Sequence, residues 1–281
     1  MFTLKIENTK GEIFELTNDE TNYAVIGVSG LTRPDTTVNT SSGVSDGEYY
    51  NSSKVGMRNI VIDILLRGEI ETNRQRLYKI FPLKTACAVY FKNYNRDVKI
   101  KGYVEVLDGD LFVEQEQIQI SIICPQPYFE SLKTIHTELS KNMKLFEFPF
   151  CITEPIPFSE KRNLPLCSIV NNGDTTCGIL LTISISGEVQ NLKIYNTGTQ
   201  EFFGLNYIFK ENDQITLNTQ SGQKSISLIR DDEKINLLGY MQVGSSWIQL
   251  ATGINNFTFT VDSGADFVKI VFATVELYGG V

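Results

Sequence analysis

Apolar and polar residues alternate in short runs along most of the chain, which is the pattern of half-buried β-strands. The clearest run spans residues 116–124, where Ile118, Ile120 and Ile122 alternate with polar side chains. Other runs in both halves of the chain place apolar residues on one strand face: Phe2, Leu4 and Ile6; Val98, Ile100, Val104 and Val106; Ile179, Leu181, Ile183 and Ile185; Phe257, Phe259 and Val261; Val268, Ile270 and Phe272. This pattern predicts antiparallel sheets with one face packed and the other in water.

One stretch has helical periodicity instead. It predicts a helix from about Glu71 to Phe81, with Thr72 or Asn73 as its cap and Pro82 closing it. The apolar side chains near one face of this helix are Ile70, Leu77, Ile80 and Phe81.

Turn signals separate the predicted strands. Asp108-Gly109-Asp110 predicts a tight hairpin turn, because an Asp-Gly step tolerates positive φ angles. Between residues 167 and 281 the turn signals are Asn172-Gly173-Asp174, Ser221-Gly222, Arg230-Asp231-Asp232-Glu233 and Asp262-Ser263-Gly264. Many short strands separated in this way, with almost no helical periodicity, predict a β-sandwich.

The length of 281 residues predicts two domains, and a composition of 42% hydrophobic and 21% charged residues predicts that both fold. We expect an α+β domain over residues 1–130, with an extended loop at about 31–56, ending where Pro125 and Pro127 prevent ladder pairing. Residues 131–166 predict a linker and a lead-in strand, because prolines gather at Pro149, Pro155, Pro157 and Pro165. Residues 167–281 form the predicted sandwich, and the two domains should fold separately. The fold class is therefore mainly β.

The charge balance argues against two classes of partner. With a net charge of −8 and a pI of about 4.9, the chain offers no basic stripe to neutralise phosphates, so we expect no stable DNA binding at physiological salt. Apolar stretches such as residues 60–66 are far shorter than a membrane span, and the first residues lack the pattern of a signal peptide. We therefore expect a soluble protein without a membrane partner or export by that route.

Few residues could support catalysis. His136 is the only histidine and lies in the predicted linker, so we expect no catalytic role for it. The acid clusters Asp108/Asp110 and Asp231/Asp232/Glu233 lie in predicted turns, where solvated carboxylates are the simpler interpretation. No phosphate-binding loop opens a helix and no two histidines share a face, so we expect no catalytic residue, cofactor or metal.

The cysteines and the tryptophan have simple interpretations too. Five scattered cysteines, at positions 87, 124, 151, 167 and 177, lack paired spacing and predict buried thiols in a reducing cytoplasm. Trp247 invites a sugar-stacking role, but the alternation of Trp247-Ile248-Gln249-Leu250 favours a core strand.

The segment from Leu31 to Gly56 is rich in threonine, serine and glycine and cannot build a core of its own. A structureless loop of this length is either functional or disordered. Threonine-rich flanks around a Ser-Gly region favour a protruding hairpin that pairs with a sheet edge of the next subunit. The predicted interface residues are Thr36, Thr37, Val38, Tyr49 and Tyr50.

Several segments, taken in their order along the chain, resemble the siphophage distal tail protein (Dit) family. The resemblance runs nearly end to end. In the first half it rests on the polar loop before Met57-Arg58-Asn59-Ile60, the strand ending at Gly68, the following helix, and the exit Cys124-Pro125-Gln126-Pro127-Tyr128-Phe129. In the second half it rests on Asn172-Gly173-Asp174, Asp213 to Thr219 with Gly222 and Lys224, Ser246 to Leu250 with Gly253 and Asn255, and Tyr278-Gly279.

The resemblance implies a tail-tube-like N-terminal domain, a C-terminal galectin-like, jelly-roll sandwich, and a hexameric ring at the virion tail tip, assembled in the cytoplasm of the bacterial host. The implied partners are other copies of the chain, the tail tube protein and the tail-associated tip or lysin protein, with a receptor-binding protein as a further candidate. The residues leave two alternatives open: a stand-alone, lectin-like carbohydrate-binding module and a glycan-cleaving enzyme.

Overall fold

The computed structural model describes residues 2–16, 22–111, 113, 115–140, 142–144, 159–161 and 165–281, and the protein is mainly β. The strands up to residue 140 are β1 (Thr3–Asn8), β2 (Ile13–Glu15), β3 (Tyr23–Ser29), β4 (Thr36–Ser42), β5 (Glu48–Val55), β6 (Arg58–Leu66), β7 (Ala86–Lys92), β8 (Asp97–Gly109), β9 (Gln117–Cys124) and β10 (Phe129–Ser140). The α-helix α1 (Ile70–Ile80) lies between β6 and β7. No helix among the described residues is long and apolar enough to cross a membrane.

The later strands are β11 (Asn142–Lys144), β12 (Ser159–Lys161), β13 (Leu166–Asn171), β14 (Leu180–Ile185), β15 (Val189–Asn196), β16 (Glu201–Phe209), β17 (Gln214–Asn218), β18 (Ser225–Arg230), β19 (Glu233–Asn236), β20 (Gly253–Ser263) and β21 (Val268–Tyr278). The chain divides into two compact units, Met1–Leu132 with Leu277–Val281, and Lys133–Glu276. Residues 277–281, which the sequence analysis placed in the sandwich, therefore cluster with the first unit.

The strands of the first unit pair antiparallel in the order β2-β1-β7-β8-β9-β6-β3. β8 is long enough to pair with β7 along its first half and with β9 along its second. Phe14 on β2 and Tyr23 on β3 stack edge to face, with ring centroids 5.0 Å apart, so the two ends of this strand order meet around one core. Leu77 of α1 is fully buried in the same core.

Helix α1 forms where predicted, but the predicted cap is wrong. Glu69 is the cap residue, and Thr72 and Asn73 lie within the helix. The side chain of Asn73 is buried and donates to Asn22 Oδ1 at 3.2 Å and to the Arg67 carbonyl at 2.8 Å. Asn73 therefore ties the helix to neighbouring segments, a role that local cap preferences do not reveal.

The predicted tight turn at Asp108-Gly109-Asp110 is also wrong, because β8 continues through Asp108 to Gly109 and its partner strand β9 begins only at Gln117. A bulge between Val104 and Val106 shifts the pairing with β9. Val104 is buried while Val106 is 42% exposed, which breaks the predicted alternation at that point.

The second unit has the predicted sandwich architecture. One sheet contains β19-β18-β17-β14-β21 and the other β13-β20-β15-β16. Phe257 on β20 and Phe272 on β21 approach to 4.9 Å between ring centroids, so the two sheets pack face to face. Asp231 and Asp232, with φ angles of 51° and 64°, form the tight turn between β18 and β19 as predicted.

Two sequence interpretations of this region need correction. Residues 133–140, predicted as linker, continue strand β10, and His136 lies in that strand. Trp247 is not in a strand; it is half-buried, with its ring 5.5 Å from that of Phe203. Pro149, Pro155, Pro157 and Cys151 lie outside the described residues.

Candidate functional site: an exposed hairpin

Strands β4 and β5 form a two-stranded antiparallel sheet that pairs with no other strand in the described part of the chain. The register runs from Thr36 opposite Val55 at the base to Ser42 opposite Glu48 near the tip, with a bulge after Asn39. The turn at the tip contains Gly47 with a φ of 98°, a conformation that favours glycine. The polar segment predicted as a protruding hairpin therefore is one.

Every described side chain from Thr36 to Lys54 is exposed. The exposed residues include large apolar ones, with Val38 54%, Tyr49 64%, Tyr50 64% and Val44 fully exposed. An isolated two-stranded sheet is only marginally stable in water, because it buries no apolar face. This hairpin therefore has the properties of an element that gains its packing from another molecule.

The polar contacts of the hairpin lie within the hairpin itself. Thr40 Oγ1 donates to Glu48, Ser41 and Asn51 side chains lie 3.3 Å apart, and Tyr50 donates to Ser53 Oγ at 2.8 Å. These contacts hold the two strands to each other. None of them stabilises the hairpin against the core of the first unit.

The five predicted interface residues fall into two groups. Thr36, Thr37 and Val38 pair with residues 55, 54 and 53 at the base, whereas Tyr49 and Tyr50 pair with Ser41 and Thr40 near the tip. The structure thus places them along one hairpin but does not bring them into one cluster. A partner that contacts both groups must cover most of the hairpin length.

Sequence reasoning missed the residue that holds the base of this hairpin, Arg58. Its side chain is only 2% exposed and donates to two backbone carbonyls in the segment that leads into the hairpin, and to two more from distant segments. A signal was present in the sequence, because the alternation Arg58-Ile60-Ile62-Ile64 puts an arginine on the inward face of β6. A charged residue at an inward position predicts a specific polar network.

The acidic residues considered for catalysis lie at exposed positions of two different units. Asp108 ends β8, Asp110 follows it, and Asp231, Asp232 and Glu233 lie in the β18–β19 turn of the other unit, all of them exposed. Within the described residues, no group of three or more His, Cys, Asp or Glu side chains could hold a metal ion.

The described cysteines, Cys87, Cys124, Cys167 and Cys177, are free thiols, and all but the half-buried Cys167 are buried. Burial raises the pKa of Cys87 to about 11 and that of Cys124 to about 12. Thiols with such pKa values stay protonated at neutral pH and are poor nucleophiles. Cys124 instead packs closely against β8, where a Cβ on Gly102 would lie 2.8 Å from its sulfur.

Comparisons with known proteins show which family the chain resembles. Residues 172–274 match the family model of the siphovirus-type tail component, C-terminal domain. The fold matches the crystal structure of phage SPP1 Dit (gp 19.1), with a TM-score of 0.69 and 12% identity over 99% of both chains. Residues 172–274 are therefore similar to a siphovirus-type tail component, and the whole chain has the fold of SPP1 Dit. The resemblance predicted from the sequence is thereby confirmed, as is the mainly β fold class.

Two further solved structures are similar to this chain in fold. Two structures of the phage P2 baseplate in its activated conformation, one with Ca and one with Sr, match with TM-scores of 0.54 and 0.53. Each is 11% identical to this chain, with 98% of both chains covered. No curated protein sequence matches the chain. The match of residues 172–274 to a tail component agrees with the prediction of a structural protein over an enzyme.

Proposed function

We propose that this chain is a distal tail protein of the Dit family. It forms a hexameric ring at the tail tip, which joins the tail tube to the tip proteins of a phage or phage-derived particle. The N-terminal units build the ring, and the β4–β5 hairpin of each copy docks on the next copy. The single observation that carries this proposal is a hairpin with every side chain exposed, on a chain with the Dit fold.

Two observations support the proposal, one from the similar structures and one from this chain. The structure of SPP1 Dit is described as a paradigm of the hub adsorption apparatus, and the P2 matches are baseplates, both of which are assemblies. A closed ring also uses head-to-tail contacts, in which a projecting element of one subunit meets a different surface of the next. The exposed hairpin is such a projecting element.

The charge of the chain fits a ring through which DNA passes. With a net charge of −8, the protein lacks the basic surface that would hold phosphates by counterion release and slow a passing genome. We therefore expect partners that are proteins: the tail tube protein, the tail-associated tip or lysin protein, and a receptor-binding protein. Assembly takes place in the cytoplasm of the bacterial host.

The hairpin can be removed cleanly, because its two ends lie together. Thr36 pairs with Val55, and the Gly56 N–H donates to the Asp35 carbonyl at 3.1 Å. Replacing residues 36–55 by two glycines should therefore leave both units folded. In native mass spectrometry the wild type should form rings, and the deletion variant should remain monomeric at the same concentration.

Matched point variants distinguish a specific contact made by the hairpin tyrosines from the general effect of removing an exposed tyrosine. Replacing Tyr49 and Tyr50 by serine should weaken the ring, because tyrosine is enriched among the residues that carry binding energy at interfaces. Tyr94→Ser is the control, since Tyr94 is 98% exposed but lies outside the hairpin, between β7 and β8. Rings that survive the deletion of residues 36–55 refute the docking role of the hairpin.

A further inference from the structure

Arg58, the first residue of β6, carries a buried charge whose hydrogen bonds go to backbone carbonyls. Its Nε donates to the Pro127 carbonyl at 2.7 Å and its Nη2 to the Gly279 carbonyl at 2.6 Å. Its Nη1 donates to the carbonyls of Gly30 and Thr32, at 2.5 Å each. The guanidinium carbon lies 4.5 Å from the centroid of the Phe129 ring. Burial of such a charge is costly unless its hydrogen bonds are satisfied, so this arrangement is specific.

The carbonyls bound by Arg58 belong to three segments that are distant in sequence. Residues 30–32 lead into β4 and form the root of the hairpin, Pro127 lies between β9 and β10, and Gly279 follows β21. A lysine could not replace Arg58 here, because only a planar guanidinium presents five donors in a fixed fork. One side chain thus holds the hairpin root against a segment from the opposite end of the chain.

Segment 278–281 lies directly on the hairpin root. The Val281 N–H donates to the Leu31 carbonyl at 3.1 Å, and a Cβ on Gly280 would lie 3.2 Å from the Thr32 carbonyl carbon. Arg96 holds the segment from its other side, donating to the Gly280 carbonyl with its guanidinium carbon 4.3 Å from the centroid of the Tyr278 ring. The root segment is therefore covered by residues 278–281.

The backbone of the root has no room to move toward β6. Gly30 has a φ of 79°, and a Cβ at this position would lie 1.9 Å from the Asn59 carbonyl oxygen. Only glycine can take this conformation at such a close approach. The carbonyl of Gly30 is one of those that Arg58 binds, so the glycine and the arginine fix the same point of the chain.

We propose that Arg58 and segment 278–281 form a root lock, which fixes the direction of the β4–β5 hairpin before another copy binds. The hairpin buries no side chain of its own, so its direction depends on its connections to the unit. A hairpin that pivots freely must be ordered on binding, and fixing it in advance lowers that entropic cost. This inference rests on the proposed function, in which the hairpin docks on the next copy.

The test is hydrogen exchange of the monomer combined with native mass spectrometry of the ring. Arg58→Lys keeps the charge but loses the fork, and should speed exchange of segment 30–35 and of the Val281 amide by about tenfold. Exchange in the core strand β9 should not change. Ring formation should require a higher protein concentration than in the wild type.

A second variant removes the other side of the lock. A chain ending at Tyr278 lacks the Gly279 acceptor and should raise exchange of segment 30–35 in the same way. Because both changes remove the Arg58–Gly279 hydrogen bond, the combined variant should speed exchange of segment 30–35 by less than the product of the two single effects. Arg74→Lys is the matched control, since Arg74 is nearly buried in the same unit but pairs with Glu71 and Glu116.

The outcomes separate the lock from the proposed function. Unchanged exchange of segment 30–35 in both variants overturns the lock. A second outcome is faster exchange in variants whose rings form as in the wild type, while deletion of the hairpin abolishes the rings. This outcome overturns the lock as an aid to assembly, but it leaves the docking role of the hairpin standing. Rings that survive the deletion of the hairpin overturn the proposed function.

Discussion

The two hairpins β4–β5 and β18–β19 have the same topology, but only β18–β19 packs into the core of its unit. β18 buries Ile226 and Leu228 in the sandwich, and its partner strand turns back through Asp231 and Asp232. In β4–β5, by contrast, every side chain from Thr36 to Lys54 is exposed. The first hairpin is part of a core, and the second is attached to a core only at its root.

This difference shows which contacts stabilise a hairpin. β18–β19 is stabilised by apolar burial and by an ion pair, in which Arg230 donates to both carboxylate oxygens of the fully buried Asp213, at 2.8 and 2.6 Å. β4–β5 has only its own hydrogen bonds and the contacts at its root. A surface of this kind is better explained by a binding partner than by the stability of its own unit.

The largest expected effect comes from truncating an apolar side chain in each hairpin. Leu228→Ala should lower the free energy of unfolding of the second unit by about 2–5 kcal/mol, because it leaves a cavity in a packed core. Val38→Ala should change the stability of the monomer by less than about 0.5 kcal/mol, since Val38 is exposed. Calorimetry of both variants checks this, and equal destabilisation would mean that β4–β5 packs within the monomer.

A smaller effect is expected at Asp213. Burial alone would raise its pKa, but the hydrogen bonds donated by Arg230 and by the Lys210 amide outweigh burial and leave the pKa below its ordinary value. Asp213→Asn should cost about 1.5–3 kcal/mol at neutral pH, because it weakens hydrogen bonds to a charged group. Urea titrations followed by the fluorescence of Trp247, the single tryptophan, report this unit.

The pH dependence of that cost has a defined sign. A carboxyl group with a lowered folded pKa stabilises the protein above its unfolded pKa of about 3.9, and this stabilisation is lost as the pH falls through the folded value. The difference between wild type and Asp213→Asn should therefore be constant from pH 5 to 8 and shrink below about pH 4. Asp232→Asn is the control, because Asp232 is exposed. If the stability difference between wild type and Asp213→Asn shrinks between pH 5 and 8, Asp213 does not have the lowered pKa described above.

Much of the fold was predictable because most strands follow simple alternation. Ile118, Ile120 and Ile122 are buried as predicted, and so are the alternating apolar residues of β14 and β21. The turn at Asp231 and Asp232 was predictable from local backbone preferences. The exposed hairpin was predictable from composition, because a segment with only scattered apolar residues cannot build a core of its own.

The wrong or missing predictions have physical causes outside the local sequence. β8 runs past Asp108 because β9 pairs with it, so a tertiary ladder overrides the turn preference of Asp-Gly. The structure of residues 246–249 is set by Leu250 bridging to Cys177 and by Trp247 against Phe203, and not by alternation. The root network of Arg58 joins residues from Gly30 to Gly279, and no local pattern carries such distant contacts.

The most direct test of a docking hairpin is a photo-crosslink from its aromatic pair. Tyr50 is replaced by a benzoylphenylalanine residue, and rings are assembled from an equal mixture of light and ¹⁵N-labelled chains before irradiation. The account predicts that about half of the crosslinked peptide pairs contain one light and one heavy peptide, because the hairpin contacts another copy. Crosslinks that join only peptides of the same label, in rings that form normally, would contradict it.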